Sequence, residues 1–106
     1  VWARRPEAAA AACDRGAADR AEPDLAAAVR AADLVILATP IGAMPDLVAQ
    51  MKPALKPGVL VTDVGSVKYP VVTALEDLLG DAAGFVGAHP MAGSEQSGIE
   101  VARADL

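Results

Sequence analysis

Apolar and polar positions recur along this chain with two different periods, and the switches between them mark its elements. The stretch PEAAAAACDR, from Pro6, is built of strong helix formers, opens on a proline suited to a first helical turn and stops at Gly16. Gly16 to Glu22 is polar and irregular. A second helix is predicted from EPDL, with acids at the favourable end of its dipole and Leu25, Ala28, Val29 and Ala32 at helical spacing. The period then changes. DLVILATP, Asp33 to Pro40, is a continuous apolar run of strand length ending in small residues and a proline, the profile of a central parallel strand buried on both faces. Helical spacing returns in MPDLVAQM through Met44, Leu47, Val48 and Met51, closed by KPALKPG. VLVTDVGS reads as the next strand. A further amphipathic helix carries Val71, Val72, Leu75, Leu78 and Leu79 on one face, ends near Gly80 and leads into the strand GFVGAHP.

Strand, helix, strand, helix, strand predicts an α/β fold, a doubly wound parallel sheet with right-handed crossovers. Ligands of such sheets bind beyond the carboxyl ends of the strands, so ATPIG, DVGSVK and AHPMAGSE are expected to open onto one crevice. Their small residues let backbone approach a ligand and offer hydroxyl and N–H donors. That suits a nucleotide, although strand-to-helix loops in general share the composition.

Composition narrows the classes. With 54% apolar residues and a net charge of −5, the chain is neither disordered-like nor basic enough to attract nucleic acid. Its single Cys13 has no partner for an internal disulfide, in keeping with a reducing, cytoplasmic setting. No apolar stretch approaches the roughly 20 residues of a membrane helix, so a membrane is not an expected partner. At 106 residues the chain is one domain at most. VWARRP reads as the tail of a strand already under way and EVARADL as a helix just begun, so an internal piece of a longer polypeptide is expected.

Candidate chemistry centres on His89, the one histidine, directly after a predicted strand. An imidazole titrating near pH ~6.5 is a competent proton acceptor, and Ser66, from the neighbouring strand end, is placed to orient it. The plainer alternatives are a histidine hydrogen-bonded to backbone and a serine that caps a helix. With no second histidine and Cys13 far away on a helix, no metal site is expected. The glycine fingerprint G-x-G-x-x-G of dinucleotide sites is absent from these residues and would lie upstream of Val1. At the place that would read the adenosine ribose, Ala3 stands where NAD-binding sequences carry an acid, and Arg4 and Arg5 follow. That favours the 2′-phosphate of NADP, the alternative being two solvated charges.

Three ordered segments, ADLVILATPIGA, TDVGSVK and GAHPMAGSEQSGIEVARADL, closely resemble the prephenate and arogenate dehydrogenases of tyrosine biosynthesis, and the resemblance extends over essentially the whole chain. It implies that residues 1–106 are a partial NAD(P)-binding domain of Rossmann type. The first strand with its glycine-rich turn would be missing, as would a following helical domain that in the family supplies the substrate-binding arginine and makes a homodimer. It implies oxidative decarboxylation of a small molecule, prephenate, to 4-hydroxyphenylpyruvate, with hydride passing to NAD or NADP. By the resemblance His89 is the general base, Ser66 hydrogen-bonds near it and the nicotinamide, and Ser94 and Glu95 line or gate the substrate. Arg4, Arg5, Thr39, Pro40, Gly65 and Ser66 would border the cofactor. Lys68 is followed by Tyr69-Pro70 where the family often has a small residue, a neutral change because proline is tolerated at a helix start. Arogenate is the alternative substrate. Another Rossmann reductase, acting on imino or hydroxy acids, and a nucleotide-binding module without turnover are the other readings.

Overall fold

The computed structural model describes residues 1–93, 95–96 and 98–105. The chain divides into two units, Val1–Asp24 with Met91–Leu106, and Leu25–Pro90.

In the first unit the alanine-rich run forms α1 (Pro6–Asp14), with Pro6 in the turn where its missing N–H leaves no helical bond unmade. A Schellman pair closes the helix: Gly16 N–H donates to the Cys13 carbonyl and Ala17 N–H to that of Ala12, each at 2.9 Å. Val1 is not part of an assigned strand. Its ammonium donates to the Arg20 carbonyl at 2.6 Å and its carbonyl accepts the Glu22 N–H at 2.8 Å, the bond pair of one parallel bridge. The helix expected from EVARADL is not formed among the described residues. Ile99–Val101 make a single 3₁₀ turn, and Ala102 is already extended. Arg103 then pairs with Asp105, an i, i+2 contact that does not occur on one helix face. Leu106 lies outside the described residues.

The second unit holds the sheet. Its order is α2 (Leu25–Val29), β1 (Leu34–Leu37), α3 (Met44–Met51), β2 (Leu60–Asp63), α4 (Tyr69–Leu79) and β3 (Gly84–Gly87). The three strands are parallel in the order β1-β2-β3, in a register that aligns Leu37, Asp63 and Gly87 at their carboxyl ends. The α/β class and the Rossmann-like sheet expected above are present. The helical periodicities bury the residues they should: Met44, Val48 and Met51 from α3, and Val71, Leu75 and Leu79 from α4, close on Val29, Leu37 and Val61 as one core. Lys52 Nζ donates to the Leu78 carbonyl at 2.7 Å, satisfying an acceptor that the end of α4 leaves open.

A further expectation is corrected in this unit. β1 is an edge strand of this sheet, and only one of its faces is buried: Leu34 is 49% and Ile36 57% exposed. Leu60 and Val86 continue the same open face on β2 and β3. The apolar run reflects a strand able to bury both faces, whereas these 106 residues cover one of them. Among the described residues no helix is long and apolar enough to cross a membrane.

Candidate functional site

The carboxyl ends of three adjacent strands bring three loops to one edge of the sheet. The loop after β1 carries Thr39 and Pro40, that after β2 carries Gly65 and Ser66, and that after β3 carries His89. Thr39 Oγ1 is buried without a hydrogen-bond partner among the described residues. Ser66 and His89 are exposed, and neither side chain makes a hydrogen bond among the described residues. The hydrogen bond expected between them is therefore not formed here. Nor does Ser66 cap α4: Lys68 holds the N-cap position, with no side-chain capping bond, and Tyr69 and Pro70 form the first turn as expected.

Beneath these loops lies a charged group that the sequence pattern hid. Asp63, the last residue of β2, is fully buried. Its Oδ1 accepts the Ala88 N–H at 3.3 Å and its Oδ2 the Gly65 N–H at 2.8 Å. Lys68 Nζ pairs with Oδ2 and also donates to the Ala88 carbonyl at 2.6 Å. Burial pushes the Asp63 carboxyl up, but Lys68 and the amides of Gly65 and Ala88 outweigh it and hold the group below the usual carboxylate range. Two glycines make room for this arrangement. A Cβ on Gly65 would stand 3.0 Å from Asp63 Oδ2 and 3.0 Å from Ile41 Cγ1; on Gly87 it would stand 2.7 Å from Val72 Cγ2. The signal that would have found Asp63 is an acid closing an otherwise apolar strand, with glycine and lysine two and five residues on.

The remaining candidates belong to the other unit. Arg4 and Arg5 are exposed, and Arg5 is the N-cap residue of α1. Ala3 and Arg4, with Trp2, Pro6, Glu22 and Pro23, help line a shallow cleft of about 210 Å³. Glu95 is exposed, and Ser94 lies outside the described residues. No group of three or more metal-ligating side chains occurs among the described residues.

A nucleotide fits the donor set at the strand ends. Thr39 offers a hydroxyl with no partner among the described residues, Ser66 offers an exposed one, and the buried Asp63 charge is balanced by Lys68, so it does not oppose an anionic ligand. Parallel strand order and loop placement together define a Rossmann-like α/β domain. Comparison with known proteins gives the family: the model described as "Prephenate dehydrogenase, nucleotide-binding domain" matches residues 2–106, and the chain belongs to that family. It is 43% identical over 88 residues to the cyclohexadienyl dehydrogenase of Zymomonas mobilis, covering 83% of this chain and 30% of that protein. It is 40% identical over 85 residues to the prephenate dehydrogenase of Lactococcus lactis, covering 78% of this chain and 24% of that one. Among solved structures it is similar to Aquifex aeolicus prephenate dehydrogenase in complex with hydroxyphenyl propionate and NAD+, with a TM-score of 0.83 and 35% identity over 94% of this chain and 35% of that one. Synechocystis arogenate dehydrogenase matches with a TM-score of 0.84 and 33% identity, over 94% of this chain and 34% of the other. The chain thus spans about a third or less of the length of the relatives it matches.

Proposed function

We propose that this chain is the nucleotide-binding part of an NAD(P)-dependent dehydrogenase that converts prephenate to 4-hydroxyphenylpyruvate in tyrosine biosynthesis. The observation that carries the reading is the meeting of Thr39, Ser66 and His89 at the carboxyl ends of adjacent strands in a member of this family. When bound, the nicotinamide supplies the acceptor for the substrate's hydride. His89 takes the proton of the 4-hydroxyl while the ring carboxylate leaves as carbon dioxide, and returns it to that oxygen as the ring becomes aromatic. Ser66 offers its hydroxyl to orient imidazole and nicotinamide. Thr39, Pro40 and Gly65 border the cofactor through a hydroxyl and closely approaching backbone, and Ser94 and Glu95 border the substrate. Arg4 and Arg5, beside Ala3, are assigned to the 2′-phosphate of NADP. A following helical domain would complete the substrate site and form the homodimer, in the cytoplasm.

Arogenate is the second reading, supported by the arogenate dehydrogenase among the structures that this chain resembles. The test is four parallel assays of the full-length protein, prephenate or arogenate with NAD or NADP, followed by the near-ultraviolet absorbance of reduced nicotinamide. Reduced cofactor is expected with prephenate, and faster with NADP. Turnover of arogenate alone replaces the substrate, faster reduction of NAD removes the role given to the arginines, and four flat traces from folded protein overturn the enzymatic reading.

A further inference from the structure

The two oxygens of Asp63 are divided between two loops. Oδ2 holds the Gly65 amide, at the start of the loop that carries Ser66, and Oδ1 holds the Ala88 amide, at the start of the loop that carries His89. Lys68 closes the circuit. Its ammonium neutralises the carboxylate and donates to the Ala88 carbonyl, the oxygen of the peptide whose nitrogen belongs to His89. Both polar groups of Ala88 are thus taken by side chains from the end of β2 and the loop after it, at the point where β3 ends and its backbone ladder stops. The His89 side chain makes no hydrogen bond among the described residues. The chain leading into it is held at Ala88. We infer that Asp63 and Lys68 form a charge-paired clamp that sets the spacing and direction of His89 relative to Ser66, making Lys68 a positioning residue for proton transfer.

The inference rests on the function proposed above for its kinetic consequence, and on geometry alone for the clamp. A buried carboxylate that only held the fold together would need partners, but not partners that lead to the two loops bearing the proposed chemistry. Placement matters because misdirecting a reacting group by about 1 Å costs on the order of 100-fold in rate.

The test uses the full-length protein with Lys68→Met, which keeps the length of the stem and removes the ammonium, together with Asp63→Asn, His89→Asn and the double variant Lys68→Met/His89→Asn. Lys68→Met is expected to lower kcat, measured at saturating cofactor, by roughly 10- to 100-fold. In the His89→Asn background the same substitution is expected to cost nothing further, because the group it positions is gone. A structural role would instead multiply the two losses. Amide hydrogen exchange, read by NMR, judges the clamp independently of turnover: Ala88 and Gly65 should lose protection in Asp63→Asn, and Lys68→Met should reproduce the loss in part. Unchanged kcat in Lys68→Met, multiplied losses in the double variant, or unchanged protection at Ala88 overturns the inference. If the wild-type protein turns over neither substrate, the proposed function falls and the clamp stands or falls on exchange alone.

Discussion

A single buried carboxylate governs much of the behaviour expected at the scale of the residue. Asp63 is held below the usual carboxylate range in the folded protein, so over that interval the folded state binds fewer protons than the unfolded one. Its stabilisation is complete above the unfolded carboxylate value of about 3.9 and is lost as pH falls through the folded value. Asp33, exposed and paired with Lys56, shifts in the same direction but is screened by solvent. Urea unfolding should therefore show wild-type stability falling on acidification below about pH 5, and falling less steeply in Asp63→Asn. At neutral pH the same variant should be less stable by about 3 kcal/mol, since it leaves Lys68 and two amides without a charged acceptor. Equal stability at neutral pH, or parallel pH curves, would mean that another group carries the acid response.

At the scale of the element, the fit of α4 against the end of β3 depends on Gly87. A methyl group there would meet Val72 Cγ2 at 2.7 Å, and Val72 is a stiff β-branched residue on a helix anchored by Val71, Leu75 and Leu79. Gly87→Ala should destabilise by about 1–3 kcal/mol, and Val72→Ala added to it should recover part of that. A neutral Gly87→Ala in urea unfolding would show that α4 shifts freely. The helices themselves were legible in the sequence, because a 3.6-residue period reports the buried face wherever the partner lies. Met44, Val48 and Met51 could be named in that way. Strand burial was not so readable. Leu34 and Ile36 are as apolar as Val35 and Leu37, and a four-residue run does not say how many layers will cover it. At the site, residue type and position marked His89 and Ser66, whereas Asp63 looked like any acid entering a loop. Its burial depends on a lysine five residues later and an amide on another strand, and local pattern does not reveal that pairing. EVARADL has helix formers but, among the described residues, makes only the end of a single 3₁₀ turn before Ala102 becomes extended.

The open face of the sheet is the feature with most consequence for the molecule as a whole. Leu34, Ile36, Leu60 and Val86 form an apolar surface across three neighbouring strands, with the half-buried Thr62 between Ile36 and Val86 in the register. Contiguous apolar surface of this kind drives association. These 106 residues alone are expected to self-associate with rising concentration in sedimentation velocity, and Ile36→Thr with Val86→Thr to weaken that association without changing the far-ultraviolet dichroism. A chain that stays monomeric up to millimolar concentration would show that the face is harmless in water. The Asp63–Lys68 pair has a different bearing, on how such a domain is rebuilt. Because one carboxylate serves the loops after both β2 and β3, neither loop is a free-standing module. A designer who grafts the histidine loop onto another parallel sheet must carry the aspartate, the lysine and both flanking glycines with it, or transplant a side chain without its bearing.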